Sequence, residues 1–176
     1  MDSSFFAQLE QLELMAFFAG YPLVYAVVYL LAGREEKRTL LKKRLVAFLP
    51  YGYALAGTAF LGLQLRNYYP AYSMDSMITG LRYPFLKIWA LLSILFWVPA
   101  FSRNTAFSLL HSLVFFYLLV RDLFLYLTAG NPDRHMVKNE MKVYTDSVLL
   151  QAGALAVIII LSSLYQYYRT GRNSRN

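Results

Sequence analysis

Residues 147 to 168 read SVLLQAGALAVIIILSSLYQYY, 22 residues between Asp146 and Arg169 without a single charge. A hydrocarbon core about 30 Å thick takes roughly 20 apolar residues of helix to cross. Two more runs of this kind lie upstream: residues 14 to 33, between Glu13 and Arg34, with 20, and residues 45 to 65, between Arg44 and Arg66, with 21. A soluble fold of 176 residues buries one modest core and could not hide three such segments. Composition agrees, with 58% hydrophobic and only 15% charged residues, against about 25% charged in globular domains. The fold class is therefore all-α: a polytopic transmembrane helical bundle forming a single integral membrane domain over 1–176.

Two further spans appear once a few charges are tolerated. Residues 83 to 102 carry Lys87 near one end, and residues 106 to 128 carry Arg121 and Asp122 side by side. The expectation is five spans; the alternative is four, with one of these two lying partly outside the bilayer. Pro84 suits a helical first turn, while Pro22, Pro50 and Pro99 are expected to kink or bound their spans.

Orientation follows from the basic residues. The connector at 34–44 holds Arg34, Lys37, Arg38, Lys42, Lys43 and Arg44, the tail adds Arg169, Arg172 and Arg175, and the turn after the third span adds Arg103. Five spans collect these ten of the seventeen basic residues on one face. The positive-inside rule makes that face cytoplasmic, with the N-terminus out and the C-terminus in. The segments at 66–82 and 129–146 then lie outside. In the first, Met74, Met77, Ile78 and Leu81 suit a short interfacial helix, with Tyr68, Tyr69, Tyr72 and Tyr83 as an aromatic belt. In the second, Asn131 and Pro132 suit a helix start, and Glu140 joins Arg134, Lys138 and Lys142 in a mixed polar face.

Several function classes fall away. There is no cysteine, so disulfides, iron–sulfur clusters and thiolate zinc sites are excluded. His111 and His135 have no metal-binding spacing, and no phosphate loop or hydrolase motif is present, so neither a cofactor nor a metal is expected. The opening MDSSFFAQLEQLEL is acidic and lacks the basic start of a cleaved signal peptide. The net charge of +7 follows from topological bias and attraction to anionic lipid at the cytoplasmic face, and no nucleic-acid partner is expected. With no organelle signal or glycosylation to point elsewhere, a bacterial inner membrane is the default location.

The fourth span carries the candidate chemistry. Asn104, Ser108, His111, Phe115, Leu118 and Asp122 recur in steps of four and three, which places them on one helix face. Polar side chains at bilayer depth normally face the bundle interior or a water-filled cavity. Asp122 needs a partner, and Arg121, Lys87 of the third span and Gln151 of the fifth fall at similar depth. Contact of Asp122 with Lys87 or Arg121 is the structural reading; an ion or proton site with His111 as relay is the functional one. Tyr21, Tyr25 and Tyr29 form a phenolic stripe that would pack inward, opposite these residues. Gly52, Ala56 and Ala59, and likewise Ala152 and Ala156, form small-residue seams for close helix packing.

These features are expected of a non-enzymatic subunit that anchors, scaffolds or oligomerises with other membrane proteins. The alternative is a pore or transporter lined by Asn104, Ser108, His111 and Asp122. A lipid-modifying enzyme using His111 and Asp122 ranks last, since 11 residues of helix separate them by about 16 Å.

Overall fold

The computed structural model describes residues 3–33, 40–67, 69, 84–128 and 134–173. The expected interfacial helix at 74–81, its tyrosine belt apart from Tyr69, and most of the basic connector lie outside the described residues. In chain order the helices are α1 (Ser3–Phe18), α2 (Tyr21–Ala32), α3 (Leu40–Asn67) and α4 (Pro84–Leu91). A 3-10 helix (Leu92–Trp97), α5 (Pro99–Ser102), α6 (Thr105–Thr128) and α7 (Arg134–Asn173) follow.

Four stretches are long and apolar enough to cross a membrane: Gln11–Ala32, Lys42–Asn67, Thr105–Thr128 and Lys138–Thr170. Their exterior is unlike that of a soluble bundle. Ser108, Ser112, Ser147 and Gln151 are buried within a largely apolar core, whereas Leu30, Leu110, Phe124 and Ile160 are each more than half exposed. An apolar exterior with polar side chains turned inward suits a helix bundle in lipid. The chain is an all-α bundle with the character of a multi-pass membrane protein.

The first span is broken rather than continuous. Pro22 has no N–H to offer the carbonyl of Phe18, and the helix loosens over Ala19 and Gly20 before restarting as α2. The freed backbone groups find side chains on α7: the Gly20 N–H donates to Ser147 Oγ at 2.8 Å, and Gln151 Nε2 donates to the Phe17 carbonyl at 2.6 Å. Ser147 and Gln151 are four apart and so share one face of α7. Intramembrane helix breaks persist when neighbouring helices satisfy the backbone in this way. By contrast, α3 continues through the buried Pro50.

The third expected span covers 83–102, described from Pro84 onward. It is not one helix but eight α-helical residues, six in 3-10 geometry, and a four-residue turn of helix after extended Val98. Pro99 explains the break, because its ring drives the preceding residue out of helical geometry. The α4 and 3-10 stretch is about 24 Å long, short of a hydrocarbon core. It runs antiparallel to α3, with Ser93 against Gly57, Trp97 Nε1 donating to Thr58 Oγ1, and Ser102 Oγ donating to Tyr51 Oη.

Helix α7 runs unbroken from Arg134, so residues 134–146 are opening turns of the same helix that carries the fifth expected span. No proline or glycine interrupts the chain there before Gly153. Glu140 accordingly faces the bundle and is buried, not displayed with Lys138 and Lys142 on a polar surface.

The small-residue seams are realised in part. Gly52 meets the backbone of Leu155, Ala56 is buried, and Gly57, on another face of α3, seats Ser93. Ala59, Ala152 and Ala156 are exposed. Ala152 and Ala156 line a lateral apolar groove of about 320 Å³ walled by valines of α2. Gly20 packs against α7 at Ser147 and Val148 so closely that a Cβ would collide with their backbone.

Candidate functional site

The polar groups of the bundle form three tiers along its long axis. The end that carries Lys42, Lys43, Arg44, Arg103 and Arg169 is termed the basic end, and the opposite end carries charges of both signs.

His111 of α6 organises the middle tier. Its Nε2 lies 2.8 Å from the Trp89 carbonyl and its Nδ1 lies 2.8 Å from Tyr53 Oη. A carbonyl only accepts, so Nε2 carries a proton; in the neutral imidazole Nδ1 then accepts and Tyr53 donates. The Trp89 carbonyl thereby selects one tautomer of the neutral ring. Trp89 returns a bond, its indole N–H donating to the His111 carbonyl at 3.1 Å, and the two rings stack 4.8 Å apart, 6° from parallel. The Trp89 carbonyl lies just ahead of the change from α to 3-10 bonding, where the register of backbone hydrogen bonds shifts. Tyr53 is wholly buried among Phe18, Tyr21 and Phe96. Beside this group Ser108 donates to the Thr105 carbonyl, so the Tyr21 hydroxyl, 2.7 Å away, donates to Ser108.

Towards the basic end, Tyr25 bonds Thr105 and stacks on Tyr29. Tyr21 and Tyr25 of the phenolic stripe therefore lie against α6 at Ser108 and Thr105, whereas Tyr29 is exposed. Asn104 sits outside this interior and caps the start of α6, its Oδ1 accepting from the Ala106 N–H at 3.1 Å.

At the mixed end, Asp122 accepts from Gln11 of α1 through one oxygen and from Arg121 Nε and Nη2, at 3.0 and 2.8 Å, through the other. The Arg121–Asp122 contact of the structural reading is thus formed between sequence neighbours, the arginine bending back over the carboxylate. Lys87 is half-buried on α4. Gln64 donates to Glu13 at 2.6 Å, tying α3 to α1. Glu140 lies near enough to Asp122 to feel its charge. Among the described residues Glu140 Oε2 and Gln151 Oε1 are buried without a hydrogen-bond partner.

The sequence reading found Ser108, His111, Asp122 and Gln151 but not the groups that complete them. Tyr53, Trp89, Ser147 and Gln11 read as ordinary apolar or terminal residues. Ser147 alone left a signal, lying four residues before Gln151 on the same helix face.

The arrangement joins helices well and relays protons poorly. A proton leaving His111 Nε2 meets a peptide carbonyl, which has no exchangeable proton to pass on. His111 and Asp122 have different partners in different tiers, and among the described residues no three His, Asp or Glu side chains converge as a metal ion would require. Comparison with family models, with curated proteins and with solved structures finds no match.

Proposed function

We propose that this chain is a non-enzymatic integral membrane subunit that anchors, scaffolds or oligomerises within a membrane complex. One observation carries the reading: the polar side chains at bilayer depth bond to other helices of the same chain, from Tyr21–Ser108 through Tyr53–His111–Trp89 to Gln151–Phe17. Groups committed to helix–helix bonds hold a bundle together and leave its apolar exterior as the surface offered to lipid and to other membrane proteins. The proposal includes five crossings, the third made by α4, the 3-10 helix and α5 together, with the basic end in the cytoplasm and the mixed end outside.

Gentle extraction into nanodiscs followed by native mass spectrometry tests the role. The expected result is a defined assembly, either of several copies or of this chain with unrelated polypeptides in fixed ratio. A monodisperse single chain with nothing bound would contradict it. The topology has its own test, since cysteines placed at the exposed positions Lys42 and Lys138 should label from opposite sides of sealed vesicles. Labelling of both from one side removes the five-crossing arrangement.

A further inference from the structure

The basic end holds a feature that the helix-joining role does not use. A cleft of about 280 Å³ lies between the start of α3 and the junction of α5 with α6. Lys43 and Arg103 line it from opposite walls, with the hydroxyl-bearing residues Tyr51, Ser102 and Thr105 between them and Pro99 and Val46 on its apolar side. Both cations are exposed, and among the described residues the side chain of neither makes an ion pair. Among the described residues no carboxylate lines the cleft. Two cations gathered at one concavity repel each other unless an anion lies between them.

The second line of argument is position. Lys43 is the second residue of the Lys42–Asn67 span, and Arg103 stands two residues before the Thr105–Thr128 span, so the cleft lies where hydrocarbon gives way to headgroups. It also adjoins the N-terminus of α6, a helix of 24 residues whose opening N–H groups favour negative charge. The apolar side can take the glycerol and upper acyl region while the cations and hydroxyls face a phosphate.

We propose that this cleft is a binding site for the phosphate of an anionic membrane phospholipid, held between Lys43 and Arg103. The shared chemistry is a phosphate anion, and the position at the span ends assigns it to a lipid headgroup rather than to a soluble ion. The inference rests on the chain spanning a membrane and is independent of whether it scaffolds a complex.

The test is native mass spectrometry of the full chain released from nanodiscs of mixed phosphatidylglycerol and phosphatidylcholine. The wild type is expected to retain phosphatidylglycerol in preference to phosphatidylcholine. The paired variant Lys43→Gln/Arg103→Gln should lower the retained fraction about tenfold, while Lys138→Gln/Lys142→Gln, which removes the same charge from the other end, keeps it. The charge-preserving pair Lys43→Arg/Arg103→Lys guards against misfolding and should retain the lipid. Equal retention by the Lys43/Arg103 and Lys138/Lys142 glutamine pairs, or no headgroup preference in the wild type, overturns the site. Stabilisation of delipidated protein by inorganic phosphate, dependent on Lys43 and Arg103 but without retained lipid, overturns the lipid assignment in favour of a soluble anion.

Discussion

Replacing Gly20 by alanine lowers the stability of the folded bundle by about 3 kcal/mol, at or beyond the upper range for overpacking. A Cβ at this position would overlap the backbone nitrogen of Val148 and stand 2.6 Å from the carbonyl carbon of Ser147. These are backbone atoms, so no rotamer change relieves the clash and α7 itself must move. That movement also pulls Ser147 Oγ from the Gly20 N–H and Gln151 from the Phe17 carbonyl, exposing two backbone groups that only α7 satisfies. Gly153→Ala is the internal control, because a Cβ there meets nothing within 4 Å. Alanine is the better helix former by about 1 kcal/mol, so this control should be neutral or stabilising. Thermal unfolding in one detergent, followed by size-exclusion recovery after heating, ranks the two. Equal stability of Gly20→Ala and wild type would mean that the first span and α7 do not pack as described.

The second large effect is expected at His111. Substitution by leucine keeps the bulk but removes both ring nitrogens, leaving the Tyr53 hydroxyl and the Trp89 carbonyl unpaired in the interior. Interhelical hydrogen bonds in membrane proteins average about 0.6 kcal/mol and reach about 1.7, and each buried group left unpaired costs about 1–3 kcal/mol. A loss of about 2–4 kcal/mol follows. Tyr53→Phe alone should cost less, since it orphans only Nδ1. Applying both changes should cost less than the sum of the two, because the second removes a partner already lost. Strict additivity in this cycle would show that Tyr53 and His111 are not bonded.

The legible part of this molecule was the part governed by one helix at a time. Uncharged runs located three of the four long helices, and the four–three spacing of Ser108, His111 and Asp122 marked the inward face of α6. What escaped depends on relations between helices. That Trp89 offers its carbonyl to His111 follows from a change in backbone geometry near Leu91 that no hydropathy pattern carries. That Ser147 and Gln151 serve the break at Gly20 follows from the packing of two segments over 120 residues apart in sequence. The expected third span is continuous in apolar composition through Val98 while its backbone is not; Pro99 held that information. Glu140 stands among the charged residues Lys138 and Lys142, which suggests a polar surface, although its spacing from Ser147 and Gln151 places it on the inward face of the same helix.

The central claim is that the buried polar tiers join helices and do not conduct. It is tested most directly by proton and cation flux across proteoliposomes holding the wild type or Asp122→Asn, with thermal stability read on the same preparations. The account predicts flux equal to that of empty liposomes for both proteins and a lower unfolding temperature for the variant, as the Arg121 and Gln11 bonds weaken. Flux in the wild type that Asp122→Asn abolishes while stability is unchanged would contradict it and make the polar face of α6 a pathway.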